Sequence, residues 1–266
     1  MVEALQFLSG LKKEIRMDKK IVLITGVGRR KGLGYVTAEE FGKLEFHVII
    51  SARKPEQYEP LVKALNDEGY EAEGLSIDLL DDKSMDDAAE YIRSSYRKLD
   101  VLVNNAAMLW NGSMGPVDEI DNDQIRKEIG TNVIGTFIMM RNMHPLLKAS
   151  GRGRIVNVSS GAGSYHDPVL GILHNADPAT DWPVSLYGIT KLAVNGITIK
   201  AAKEFKKDNI LVNAICPGVM ATSDSGNGFG GRDPRIGAQK GVLWAATLPD
   251  DGPTGGFFRD GEELPW

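Results

Sequence analysis

Short Val/Ile/Leu-rich runs alternate with helix-spaced runs along nearly the whole chain, and no other feature limits its fold so tightly. Strands are predicted at Lys20–Thr25, Phe46–Ser51, Ala72–Ile77, Val101–Asn104, Arg154–Ser159, Ile210–Ile215 and Gly256–Phe258. Helices are predicted between them at Leu33–Leu44, Gln57–Glu68, Ser84–Ser95, Asp123–Leu147, Tyr187–Phe205 and Pro234–Ala246. The strand runs are mostly continuous rather than alternating apolar with polar, which is the pattern of strands covered on both faces. Regular strand–helix alternation of this kind predicts an α/β fold, a doubly wound parallel sheet of seven strands flanked by helices. No repeat, low-complexity tract or linker interrupts it, so residues 19–266 read as a single domain. Two stretches lack periodicity, about 164–183 and about 219–234, and long irregular stretches in compact domains often form lids or pocket walls.

Residues 1–18 read as an N-terminal extension. Leu5, Leu8, Leu11 and Ile15 recur at helical spacing with Lys12, Lys13 and Arg16 beside them, as in a short amphipathic helix. A signal peptide would place its charges before the apolar run and end at small residues, and this segment does neither. No apolar run approaches the roughly 20 residues that span a bilayer, so no membrane partner is expected. With a net charge of −5 and no basic stripe, a nucleic-acid partner is not expected either. The single cysteine, Cys216, rules out an internal disulfide and fits a reducing, cytoplasmic setting. Its apolar neighbours make it a core residue rather than a nucleophile. The four histidines (His47, His144, His166, His174) show no metal-ligand spacing, and no metal site is expected.

The first strand runs into Gly26, Gly28, Gly32 and Gly34 and then into a helix. Glycines at such a junction let a backbone approach a pyrophosphate closely, and the helix N-terminus supplies N–H donors and a favourable dipole. The chain is rich in glycine, 30 of 266 residues against a usual level of roughly 7%. Arg29, Arg30 and Lys31 lie within the turn. The second strand leads to Ala52-Arg53-Lys54, with no acidic residue from Val48 to Lys54. A carboxylate there would bind a ribose 2′-OH, whereas Arg53 suits a 2′-phosphate, so the cofactor expected is NADP(H) rather than NAD(H).

Tyr187 and Lys191 stand four residues apart in Ser185-Leu186-Tyr187-Gly188-Ile189-Thr190-Lys191, one turn apart on one helix face. A free phenol, with a pKa of about 10, is a poor acid at neutral pH, and a neighbouring cation is expected to lower it. A proton donor beside a hydride carrier is the minimum a carbonyl reductase needs.

Taken in order, these motifs make residues 19–266 resemble the short-chain dehydrogenase/reductase superfamily, with its Rossmann-like fold. Thr25-Gly26 with Gly32-Leu33-Gly34 is similar to the family's TGxxxGxG. Asn104-Asn105-Ala106-Ala107 is similar to its NNAG, and Asp78, followed by Leu79, to the acid that holds the adenine amino group. Asn132 matches the helix asparagine, Ser160 the catalytic serine, and Tyr187 and Lys191 the YxxxK pair. Pro217-Gly218-Val219 with Thr222 is similar to the PGxxxT loop at the nicotinamide end. The resemblance therefore implies a catalytic set of Asn132, Ser160, Tyr187 and Lys191. It implies cofactor contacts at Gly26, Gly28, Arg29, Arg30, Gly32, Leu33, Gly34, Arg53, Asp78, Leu79, Asn105, Ala106, Ala107, Tyr187, Lys191, Pro217, Gly218, Val219 and Thr222. Asn132 resembles the residue that anchors a water joining Lys191 to solvent.

Two departures from the family pattern stand out. Five residues separate Gly26 from Gly32 where the pattern has three, a spacing also found in the superfamily's enoyl-thioester reductases. Those enzymes set their tyrosine and lysine farther apart, so Tyr187-x3-Lys191 speaks against that alternative. Ser160 and Tyr187 are separated by 26 residues, about twice the usual interval. A longer insertion there is similar to the monomeric carbonyl reductases, as are Trp182–Lys191 and the tail from Gly252 to Trp266. The expected function is NADPH-dependent reduction of a ketone or aldehyde to an alcohol, with Tyr187 giving the proton and Ser160 holding the carbonyl oxygen. A non-catalytic NADP(H) sensor is the alternative from another class, although a sensor has no need of the Ser/Tyr/Lys set. An NDP-sugar enzyme usually needs a larger C-terminal part than the 48 residues after Gly218. Leu109, Trp110, Tyr165, His166, Met220, Phe229 and Trp244 are candidates for the substrate pocket. A monomer is expected, because residues 164–183 can cover the face through which relatives pair; a dimer or tetramer is the alternative.

Overall fold

The computed structural model describes residues 19–109, 116–168, 170–173, 185–221 and 231–266. The expected N-terminal helix, Trp110, Thr222 and Phe229 lie outside them. The chain starts with β1 (Ile21–Ile24), α1 (Leu33–Lys43), β2 (His47–Ala52), α2 (Pro55–Asp67), β3 (Ala72–Ser76), α3 (Asp82–Tyr96) and β4 (Val101–Asn104). It continues through α4 (Asn122–Ile129), α5 (Thr136–Ala149), β5 (Arg154–Val158), α6 (Ser185–Phe205), β6 (Leu211–Ile215), α7 (Pro234–Gly237), α8 (Trp244–Thr247), β7 (Phe257–Arg259) and β8 (Glu262–Glu263). The strands form one sheet in the order β3-β2-β1-β4-β5-β6-β7-β8, parallel throughout except for the last pair.

Seven strands are expected from the sequence and the sheet has eight. The additional strand is a two-residue return after Asp260 and Gly261, both at positive φ (57° and 86°). Two successive residues at positive φ make a tight turn whose twist matches a hairpin, and Asp-Gly is the pair that tolerates it. Glu262 and Glu263 are exposed and carry no apolar signal.

The continuous apolar strand runs have a direct explanation in the register. Ile49, Leu23, Leu102, Ile155 and Val212 stand side by side across five strands and pack under α3, α5 and part of α6. The residues one step along, Ile50, Ile24, Val103 and Val156, face the other way and pack under α1, α2 and the α7–α8 region. Both sets are buried, so the runs are mostly apolar at both alternate positions.

Two helices differ from expectation in one detail. The run predicted at Asp123–Leu147 is helical throughout, but Gly130–Gly135 forms a π turn between α4 and α5. The run predicted at Pro234–Ala246 contains a second π turn at Ala238–Leu243. A π turn inserts a residue into the helical ladder and often marks a functional position.

The sheet centre carries one polar thread. Asn104 on β4 donates to the side-chain oxygen of Asn157 on β5 at 2.8 Å, and Asn157 donates to Thr198 on α6 at 2.8 Å. Thr198 donates in turn to the Val194 carbonyl. All three side chains are buried, so each relies on the others for its partner. Asn157→Ala should lower unfolding stability by about 2 kcal/mol through the stranded partners alone. Urea denaturation checks this, and a loss under about 0.5 kcal/mol would contradict the network's role.

Candidate active site

A cleft of about 330 Å³ opens at the C-terminal ends of β1 to β4, where the strand order reverses direction. This is the place at which open parallel sheets receive ligands. Its walls include Gly26 and Gly28 from the turn after β1, Arg53 after β2, Asp78 and Leu79 after β3, and Ala106, Ala107 and Leu109 after β4. Gly26 sits at φ +73°, and a Cβ there would lie 2.4 Å from the Ala106 Cα. Only glycine permits that contact, which joins the first turn to the fourth strand. Thr25 closes the same junction: its hydroxyl accepts from the backbone N–H of Asn105 and of Ala106, both at 3.1 Å. Asn105 donates its side-chain amide to the Thr25 carbonyl at 2.8 Å.

The basic residues part company here. Arg53 is exposed on the cleft wall. Arg30 instead pairs with Glu68 at 3.2 Å and lies over the Tyr35 ring. Gly32 caps α1, Leu33 is buried beneath it, and Arg29 is exposed. Asp78 accepts from the Leu80 backbone N–H, which fixes the turn after β3.

Beyond the cleft lie the four candidate catalytic residues, all within the described region. Ser160 follows β5 and caps the turn Gly161–Gly163, accepting from the Ala162 N–H at 3.2 Å. That turn packs against α6, which carries Tyr187 and Lys191. A Cβ on Gly163 would come within 2.5 Å of the Lys191 backbone, so the close approach depends on glycine. The Lys191 Nζ donates to the Val158 carbonyl at 2.7 Å and lies 5.5 Å from the Tyr187 ring centre. Asn132 occupies the π turn, buried. Its amide donates to the Met108 carbonyl at 2.9 Å and to the Thr190 hydroxyl at 3.1 Å, and its oxygen accepts from the Met108 N–H at 2.7 Å. Both amide N–H groups are thereby used in tying the cleft wall to α6. Thr190, unremarked in the sequence reading, is the link, and its place beside Lys191 was the available signal.

The loop after β6 is braced from outside. Gly218 stands at φ +75°, and Arg232 donates to the Pro217 carbonyl at 2.7 Å. Arg232 also makes a two-pronged pair with Asp260 (2.6 and 2.8 Å). Val219 is exposed and Met220 half-buried. Of the other pocket candidates, Leu109 and Tyr165 are exposed, while Trp244 is half-buried and packs on Phe258. Among the described residues no cluster of side chains could hold a metal ion, and no helix is long and apolar enough to cross a membrane.

Comparison with known proteins bears on this arrangement. The family model for short chain dehydrogenases matches residues 20–228. The chain belongs to the short-chain dehydrogenase/reductase superfamily. It is 34% identical to the short-chain dehydrogenase anuI of Penicillium roqueforti, over 87% of this chain and 90% of that protein. It is 28% identical to carbonyl reductase [NADPH] 1 of Sus scrofa, over 94% and 95% of the two chains. A metagenomic short-chain oxidoreductase solved in complex with NADP superposes with a TM-score of 0.73 at 25% identity, over 92% and 98% of the chains. An actinorhodin polyketide ketoreductase solved with NADPH shares the fold at TM-score 0.75 and 23% identity, over 91% and 96%.

In this short-chain dehydrogenase the electrostatics of the Tyr–Lys pair depart from what spacing alone predicts. A neighbouring amine is expected to lower the phenol. Burial outweighs it and pushes Tyr187 well above its ordinary value; Cys216 and Glu128 add to the rise, and a hydrogen bond with Ser160 works against it. Burial likewise holds the Lys191 ammonium down to about 8, with Glu128 and Cys216 pulling it back up.

A lysine lowered from 10.5 to about 8 on folding penalises the native state below pH 8, and the penalty fades as pH rises toward 10.5. Between pH 7 and 9.5 the wild type should therefore gain about 2 kcal/mol relative to Lys191→Met. Urea unfolding of both proteins at the two pH values reads this out. A constant difference between them would show that Lys191 is not held down by the fold.

Proposed function

We propose that this protein is an NADP(H)-dependent carbonyl reductase that reduces a ketone or aldehyde to the alcohol, with Tyr187 as the proton donor. The observation that carries the reading is the convergence of Ser160, Tyr187 and Lys191 on one turn-and-helix contact next to the cleft at the sheet's switch point. The cleft suits a dinucleotide: Gly28 has open space where a Cβ would stand, and Arg53 lines the wall with no carboxylate on the second strand's end to oppose it. When bound, NADPH supplies the hydride.

The residues divide the remaining work. The backbone from Gly26 through Gly28 and Gly32 to Gly34, with Leu33 and the α1 N-terminus, would hold the pyrophosphate. Arg53, with Arg29, would meet the 2′-phosphate, while Arg30 is engaged by Glu68. Asp78 and Leu79 would hold the adenine, Asn105 to Ala107 its ribose, and Pro217, Gly218, Val219 and Thr222 the nicotinamide end. Ser160 donates to the carbonyl oxygen and holds it against Tyr187, stabilising the charge that grows there. A phenol raised by burial stays protonated at neutral pH, so the donor is loaded. Lys191, fixed by the Val158 carbonyl, brings positive charge to the phenol's ring. Relatives named as NADPH carbonyl reductases support the same reading.

Tyr187→Phe should cut NADPH oxidation with a panel of aldehydes and ketones by about a hundredfold or more, while NADPH binding followed by its fluorescence is retained. Near-normal turnover in that variant would end the proposal. Arg53→Ala should raise KM for NADPH about tenfold, the worth of one charge-assisted contact, and leave KM for NADH nearly unchanged. Equal effects on both coenzymes would mean that Arg53 does not read the 2′-phosphate.

A further inference from the structure

Arg232 lies in the run Gly231-Arg232-Asp233-Pro234, just before a helix, where a sequence usually places a solvated charge. The acid beside it is already used: Asp233 caps α7 by accepting from the Arg235 N–H at 2.8 Å. Arg232 turns instead to Asp260, 28 positions away. The two terminal nitrogens of its guanidinium donate to the two oxygens of that carboxylate, at 2.6 and 2.8 Å. A planar fork of this kind fixes the arginine in orientation as well as in place. It also holds the Asp260 carboxyl below the usual carboxylate range.

With its head fixed, the arginine spends its remaining polar groups on the loop after β6. Its Nε donates to the Pro217 carbonyl at 2.7 Å. Its backbone N–H donates to the Val219 carbonyl at 2.9 Å, and its own carbonyl accepts from the Ala221 N–H at 3.0 Å. Two glycines make room for it. A Cβ on Gly218 would stand 2.8 Å from the Arg232 Nε, and one on Gly231 would stand 2.6 Å from the Ala221 nitrogen.

The bond to Pro217 matters because of the residue that follows. Gly218 stands at φ +75°, and a glycine reaches the opposite sign of φ about as readily. The peptide plane between Pro217 and Gly218 therefore has two orientations open to it, and its own residues do not choose between them. A charged donor aimed at the Pro217 oxygen chooses one.

We propose that Arg232, locked by Asp260, is a positioning residue for the nicotinamide half of the coenzyme. It fixes the Pro217–Gly218 peptide plane, and with it the backbone that the loop after β6 presents to that half. The inference rests on the reading that this loop takes the nicotinamide end; the adenosine half is assigned to other residues, Arg53 and Asp78 among them.

The test compares two ligands on the full chain by calorimetry: NADPH, and 2′,5′-ADP, which carries the 2′-phosphate but no nicotinamide. Arg232→Ala should weaken NADPH about fivefold or more, the worth of one hydrogen bond, and leave 2′,5′-ADP within about twofold of wild type. Arg232→Lys keeps the charge but has no planar fork, so it should stay weakened toward NADPH alone. An unchanged NADPH affinity in Arg232→Ala overturns the proposal. So does an equal loss for both ligands, which is what a merely structural role would give, and so does full recovery in Arg232→Lys, which would make charge rather than orientation the cause. Should Arg232→Ala not fold, Asp260→Asn carries the same comparison, since asparagine tolerates the positive φ of 57° at that position. An unchanged ratio of the two affinities in Asp260→Asn then overturns the proposal. A wild type that binds neither ligand would defeat the coenzyme reading itself and this proposal with it, whereas a wild type that binds both beside an unaffected Arg232→Ala defeats this proposal alone.

Discussion

An amine held out of water is the costly element around which this site is built. Lys191 is buried, and burial penalises its charged form. It survives there because the main chain answers it: the Val158 carbonyl, at the end of β5, accepts a hydrogen bond from it at 2.7 Å. That bond requires α6 to lie against the end of β5, which in turn requires Gly163, whose missing side chain lets the Ser160 turn touch the helix backbone. The serine, the phenol and the amine are therefore positioned by a single contact. A strained or destabilised site of this kind is the usual exchange of stability for function.

The doubly covered sheet supplies the rigidity that this contact needs. Side chains on both faces are buried in continuous rows across the strands, leaving the strand ends little freedom to shift. The loops at those ends inherit the order. Thr25 and Asn105 close β1 onto β4, Asn132 closes the β4 loop onto α6, and the Asn104–Asn157–Thr198 thread crosses the sheet beneath them. Each of these ties is polar, satisfied, and buried or half-buried, so it specifies one arrangement rather than merely adding cohesion.

Much of this was legible in the sequence because the signals were local. The apolar runs placed seven strands, and the glycine turn, Ser160 and Tyr187-x3-Lys191 lay where short-range spacing put them. What escaped depends on partners distant in the chain. Arg30 was grouped with the phosphate residues, yet Glu68, 38 positions away, engages it. The sign of the Tyr187 shift followed from burial, which a four-residue spacing does not encode. The π turn at Gly130–Gly135 keeps a helical pattern and so reads as plain helix. The eighth strand did carry a local signal, the Asp260-Gly261 pair, but its two exposed glutamates lack the apolar run by which strands are usually found.

That short return matters more than its length implies. Arg259 and Asp260 are adjacent and oppositely charged, and they reach to opposite sides of the site. Arg259 donates to Asp167 at 2.6 Å and to the Cys216 sulfur at 3.2 Å, while the Gly161 N–H donates to the same sulfur. Asp260 takes the guanidinium of Arg232, which also holds the Pro217 carbonyl. Five residues after Asp260 the tail crosses back: Ser164 donates to the Pro265 carbonyl, and Trp266 stacks on Phe257. One tight turn thus anchors both irregular stretches that flank Tyr187, the segment beginning at Ser164 and the loop after Gly218. Exposed ion pairs contribute little by themselves, but Asp167 is fully buried, so its 2.6 Å contact with Arg259 is a charge-assisted bond shielded from water. The C-terminal hairpin is for that reason part of the scaffold of the candidate active site, and the extra strand is explained by what it holds rather than by what it adds to the sheet.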